Sequence, residues 1–202
     1  MLTRLRVRGF KNIVDADVRF GPFTCIAGPN GAGKSNLFDA IRFLSGLVDE
    51  PFVQAIRAIR GGDDPRSLFT FGYDGPMRLT AELLIPSKGV DEFGQPSEAS
   101  ATFLTYDLAL ALERDGNGLG DRVRLVSERL GYVPKGEADD RLGFPHQSDW
   151  RESAVRTTQR RTSFIRPEDD GGANPVVRLQ SDRMRAETRT KRGGGKAFGY
   201  QA

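Results

Sequence analysis

Gly28-Pro29-Asn30-Gly31-Ala32-Gly33-Lys34-Ser35 is the stretch on which the reading of this sequence turns. It fits the pattern G-x-x-x-x-G-K-[ST] at every fixed position. Each of those positions answers a physical demand. Gly28 lets the chain leave a strand in a sharp turn, and Gly31 and Gly33 can take positive φ without a Cβ clash. The backbone N–H groups can then line a concave nest for an anion. A helix starting near Lys34 adds its free N–H groups and its positive dipole end to the same target. In such a loop the lysine reaches the β- and γ-phosphates of a nucleotide as a point charge. The serine hydroxyl sits on the Mg2+ that bridges them. Glycine supplies 24 of the 202 residues, so spaced glycines alone decide nothing. The adjoining Lys-Ser pair and the flanking elements decide it.

Upstream, Phe23-Thr24-Cys25-Ile26-Ala27 is a compact apolar run, the pattern of a strand buried on both faces. Before it, Leu2, Leu5 and Val7 alternate with arginines up to Gly9, and Val14, Ala16, Val18 and Phe20 alternate with polar residues. Both segments predict strands. Downstream, Leu37, Ala40, Ile41, Leu44 and Leu47 recur at helical spacing, which predicts an amphipathic helix. Phe52, Ala55, Ile56 and Ile59 predict a short helix stopped by Gly61-Gly62. Three further strands are expected over 77–85, 101–113 and 122–130, the last two joined through Asp115-Gly116-Asn117-Gly118 as a meander. Residues 86–100 read as a loop. From about 134 the pattern dissolves into polar, charged and glycine-bearing sequence. The expected organisation is a lobe over 1–133 carrying the phosphate loop, followed by a polar, partly disordered extension over 134–202.

Lys and Arg number 30 against 27 Asp and Glu, a net charge of +3. The distribution is uneven: 9 basic against 5 acidic over 1–60, 9 against 16 over 61–150, and 12 against 6 over 151–202. A polyanion such as DNA would therefore meet the two basic ends. A single cysteine, Cys25, excludes an intrachain disulfide. A single histidine, His146, excludes His-rich metal sites and argues against a Ser-His-Asp triad. No apolar run approaches the roughly 18 residues of a membrane span, and Arg4, Arg6, Arg8 and Lys11 interrupt any signal peptide. The expected setting is cytoplasmic, without a membrane partner.

The run Leu2-Thr-Arg-Leu-Arg-Val-Arg-Gly-Phe-Lys-Asn12, a short strand, and then Ile26-Ala-Gly-Pro-Asn-Gly-Ala-Gly-Lys-Ser-Asn-Leu-Phe-Asp-Ala-Ile41 resembles the start of the RecF/SMC-like ABC ATPases. That group includes bacterial AAA family ATPases and OLD-like ATPases. Val126-Ser-Glu-Arg-Leu130, after a strand containing Tyr106, is similar to the meander such proteins carry. The resemblance implies an α/β P-loop NTPase fold of ABC type, present as an N-terminal lobe with a mixed sheet and an antiparallel β-meander. It implies binding of ATP and Mg2+ and pairing with a second ATPase head. By the same resemblance Gly28, Pro29, Asn30, Gly31, Ala32, Gly33, Lys34, Ser35 and Asn36 form the nucleotide loop. Lys34 is then the catalytic residue and Ser35 the metal ligand, and Lys11 matches a basic position near the phosphates.

Hydrolysis in that family also needs an apolar strand ending in Asp-Glu to hold Mg2+ and activate water. No such pair follows an apolar run here; Leu108 to Glu113 offers one carboxylate and then Arg114. Leu44-Ser45-Gly46 imitates a signature motif but reads as a helix terminus capped by glycine. The expectation is ATP binding by the N-terminal half of an ATPase head, serving DNA repair, chromosome maintenance or anti-phage defence. The missing half is absent through truncation or comes from another polypeptide. The alternatives are a DNA-binding partner subunit using the basic ends, and a small-molecule P-loop kinase with Arg156, Arg160 and Arg161 as lid.

Overall fold

The computed structural model describes residues 1–90, 95–113 and 121–157. Its centre is a five-stranded sheet in the order β2-β1-β3-β6-β7, built from β1 (Leu2–Phe10), β2 (Ile13–Arg19), β3 (Met77–Leu84), β6 (Phe103–Glu113) and β7 (Arg122–Tyr132). A separate hairpin pairs β4 (Lys88–Val90) with β5 (Pro96–Glu98). All these pairings are antiparallel. Between β2 and β3 run α1 (Lys34–Asp49), α2 (Phe52–Arg57) and a 3-10 turn over Pro65–Leu68.

The period-2 alternation puts opposite chemistry on the two faces of the sheet. Leu5 and Val7 of β1 face Ala81 and Leu79 of β3, and Leu79 faces Leu108 of β6. These side chains are buried together with Leu37, Ala40 and Phe43 of α1 and Phe52, Ala55 and Ile56 of α2. Phe43 stands between Phe10 and Phe52, with ring centroids 6.4 and 6.0 Å away. On the other face the β1 arginines meet carboxylates across the hairpin: Arg4 grips Asp17 through two hydrogen bonds of 2.8 and 2.6 Å, and Arg8 reaches Asp15 at 3.0 Å.

Both ends of α1 have local causes. Gly33 stands before it with φ of 92°, which ends any helical continuation toward the loop. Pro51 forces Glu50 into an extended conformation (φ −117°, ψ 150°) at the other end. Gly46 does not cap the helix as its sequence position suggested. It lies inside α1, and a Cβ placed on it would come within 3.3 Å of the Ala55 Cβ, so its role is to let α2 approach.

Three further expectations meet a different structure. Phe23–Ala27 forms no strand: it has no ladder partner, and Phe23 is 89% exposed. A strand hidden on both faces needs a neighbouring strand and two covering layers, and none of the described residues provides them. The parallel component of a mixed sheet is accordingly not among the described residues. Residues 86–100 contain the β4–β5 hairpin as well as loop. Beyond Tyr132, a 3-10 turn (Lys135–Glu137), α3 (Ala138–Arg141) and α4 (Ser148–Ala154) form a second small core, in which Val133, Ala138, Leu142 and Val155 meet Leu84 and Phe103. The Asp115–Gly118 turn, Arg160, Arg161 and the basic tail lie outside the described residues.

Candidate functional site

Residues 28–33 form a largely exposed loop between the end of the β1–β2 hairpin and α1, whose first two residues are Lys34 and Ser35. Gly31 and Gly33 hold φ of 84° and 92°, in the left-handed region that a side chain disfavours. Their positive φ turns the loop back onto the N-terminus of α1. That terminus has no side-chain cap and no acidic residue in its first turn. Its free N–H groups and dipole therefore face the loop. Lys34 folds its ammonium back over the loop, donating to the carbonyls of Gly28 and Pro29 at 2.6 Å each. The loop thus encloses a cation with uncapped amides alongside, a donor set that suits a polyphosphate. Ser35 is exposed on the first turn, where its hydroxyl is open to a bound metal. When bound, Mg2+ would neutralise phosphate charge at that hydroxyl.

A polar network braces the loop from behind. Asn12, in the β1–β2 turn, donates to the Gly31 carbonyl at 3.4 Å and accepts from the Asn36 amide at 2.5 Å. Its Oδ1 lies 3.4 Å from where a Cβ on Gly33 would stand. Lys11 places its ammonium on Asp39 of α1 at 2.6 Å and on the Arg60 carbonyl at 2.7 Å. Arg60 closes the group, its guanidinium 2.9 Å from the same carboxylate. The chain carries Arg60 there by a turn that only glycine completes, because a Cβ on Gly62 would meet the Ile56 carbonyl oxygen at 1.8 Å.

Burial opposes ionisation of Asp39, but the hydrogen bonds from Arg60 and Lys11 outweigh it and hold the carboxyl below its usual range. The sign follows directly. A lowered folded-state pKa contributes stability that is complete above the ordinary aspartate value of about 3.9 and is lost as pH falls through the lower folded value. Melting temperatures of the wild type and Asp39→Asn, measured from pH 6 down to pH 2, should therefore converge as the medium becomes acid. A gap that stays constant over that range would contradict the assignment.

The structure brings Gly28 through Asn36 into one loop-and-helix unit. Lys11 joins it from the hairpin, with its ammonium directed to Asp39. Sequence reading did not single out Asp39, Arg60 and Asn12. The available signal was Asp39 itself, a charge set between Leu37 and Ala40 on the buried side of an amphipathic helix. Glu113, the lone carboxylate after the Leu108–Leu112 run, ends β6 in an ion pair with Arg124 at 2.5 Å, inside the meander. Among the described residues no cluster of three His, Cys, Asp or Glu could hold a metal, and no helix is long and apolar enough to cross a membrane.

The glycine loop closes on Lys34 at the start of α1 and is backed by the antiparallel sheet. Residues 1–58 match the RecF/RecN/SMC N terminal domain. Over 196 residues the chain is 28% identical to the chromosome partition protein Smc of Rhodopseudomonas palustris, a match covering 94% of this chain and 16% of that protein. It is 56% identical over 45 residues to the DNA replication and repair protein RecF of Magnetococcus marinus, covering 22% of this chain and 12% of that one. It is 48% identical over 48 residues to the OLD nuclease of Thermus scotoductus, covering 24% and 9%. The matches therefore span 16% or less of the length of these three relatives. A solved chain from "Structural biochemistry of ATP-driven dimerization and DNA stimulated activation of SMC ATPases" aligns with a TM-score of 0.39 at 21% identity, covering 75% of this chain and 89% of that one. Residues 1–58 are thus similar to the N-terminal domain of RecF, RecN and SMC proteins.

Proposed function

We propose that the chain binds ATP with Mg2+ through Gly28–Asn36, as the N-terminal lobe of a RecF/SMC-like ATPase head acting in chromosome maintenance, DNA repair or anti-phage defence. The observation that carries this reading is the loop itself: positive-φ Gly31 and Gly33 fold it around the Lys34 ammonium, beside the uncapped start of α1. Lys34 and the loop amides bind and orient the phosphates, and Ser35 takes the metal. Asp39, the carboxylate one turn beyond Ser35, is taken up by Lys11 and Arg60, and turnover also needs a carboxylate free to orient and deprotonate a water.

The partner is a second head or a polypeptide that supplies that carboxylate. Two features support a partner on this side of the lobe. The apolar Phe23–Ala27 run has no strand to pair with among the described residues, and Phe38, on the same helix as Lys34, is 56% exposed. The expected result is ATP binding by the isolated chain without efficient turnover. Equilibrium binding of a fluorescent ATP analogue, followed by a steady-state phosphate-release assay, tests both halves. Phosphate release at ~1 s⁻¹ or faster, an ordinary enzymatic rate, would overturn the second half; absence of binding would overturn the first.

A further inference from the structure

We propose that Asp39 is a positioning residue of the nucleotide loop: it pins Lys11 and Arg60 to α1, and through Asn36 and Asn12 that clamp fixes the loop at Gly31. The assignment rests on the reading of Gly28–Asn36 as a nucleotide site, and it adds a residue that touches no ligand. Asp39 is 7% exposed and lies one helical turn beyond Ser35, on the same face of α1. Its Oδ2 takes the Lys11 ammonium at 2.6 Å and the Arg60 guanidinium at 2.9 Å, and its Oδ1 takes the Arg60 Nε at 3.3 Å.

From there the contacts run to the loop without a gap. Arg60 donates to the Asn36 side-chain oxygen at 3.5 Å, Asn36 donates to Asn12 at 2.5 Å, and Asn12 donates to the Gly31 carbonyl at 3.4 Å. Lys11 reaches its place at a cost. It is the sole non-glycine residue of positive φ among those described, at 52°. A side chain is held in that conformation only where its surroundings over-determine it. Here the Lys11 N–H is anchored on the Leu68 carbonyl at 2.8 Å, and its ammonium on Asp39 and Arg60. One carboxylate on α1 thus collects two cations from two other segments, and removing its charge frees both from it.

The test uses the full chain. Asp39→Asn keeps the size of the side chain and removes the charge, so ATP affinity should fall about tenfold. The amide NMR signals of Gly31 and Gly33 should move or broaden, while those of Leu44–Asp49 at the far end of α1 stay in place. Asp39→Glu restores the charge with a poorer fit in volume and should recover affinity to within about threefold; a residue needed only for packing would show the reverse order. Arg60→Ala, at an exposed side chain, should lose about threefold in affinity with a fall in melting temperature smaller than that of Asp39→Asn, because Lys11 keeps its hold on the carboxylate. Binding by Asp39→Asn within twofold of the wild type overturns the proposal. If the wild-type chain binds no ATP, the nucleotide reading fails separately. The Gly31 and Gly33 signals then still decide whether Asp39 holds the loop, and unmoved signals overturn that role.

Discussion

Lys34→Ala is expected to abolish ATP binding by this chain. The wild-type ammonium donates to the Gly28 and Pro29 carbonyls at 2.6 Å each, inside the turn that Gly31 and Gly33 create. A triphosphate entering that turn competes for this cation, and the exchange favours the anion because charge meets charge instead of a neutral carbonyl. A hydrogen bond to a charged group contributes about 1.5–3 kcal/mol, and two of them correspond to a loss of at least ~100-fold in affinity. Alanine leaves the loop without its cation and leaves two carbonyl oxygens facing the phosphates. The cost falls on binding more than on folding, since residues 28–32 are exposed and the Lys34 ammonium is bonded to carbonyls of that loop. Calorimetric titration with ATP, beside a melting curve, separates the two. Micromolar affinity retained in Lys34→Ala would remove the loop from the nucleotide site.

What the sequence disclosed and what it hid follow from the range of the interactions involved. Each fixed position of the loop meets a demand of its own backbone, so the motif is legible without the fold. The same holds for α1, bounded by Gly33 and Pro51, and for the long strands, whose alternation is a local consequence of one buried face. The β4–β5 hairpin escaped because its strands are three residues long and β5 is fully exposed. The short helices after Tyr132 escaped because Ala138, Leu142 and Val155 are too few to make a period. Phe23–Ala27 shows the opposite error. An apolar run states that a segment prefers burial; it does not state that a partner strand is present. The Asp39 clamp lies deepest, because Lys11 and Arg60 are 28 and 21 positions away and only the folded chain brings them to one carboxylate.

Phe43→Ala carries the largest expected loss of stability, because one ring joins the helix that bears Lys34 to the sheet. Phe43 is fully buried and stands between Phe10 of β1 and Phe52 of α2. Truncation leaves a cavity bounded by a strand and a second helix, neither of which can move in without leaving its own ladder or turn. Such a change costs about 3–5 kcal/mol, a large share of the roughly 5–15 kcal/mol that stabilises a domain. At about 2–4 °C per kcal/mol for a chain of this size, the melting temperature should fall by roughly 6–20 °C. Phe38→Ala on the same helix is the matched control. Its ring is 56% exposed and outside the core, so the change should stay within about 0.5 kcal/mol. The pair also separates stability from binding. Phe43→Ala should weaken ATP affinity only at temperatures where the folded population falls, since Gly28–Asn36 is shaped by its own backbone and by Asn12. Equal melting temperatures for the two variants would mean that α1 does not dock on the sheet through Phe43.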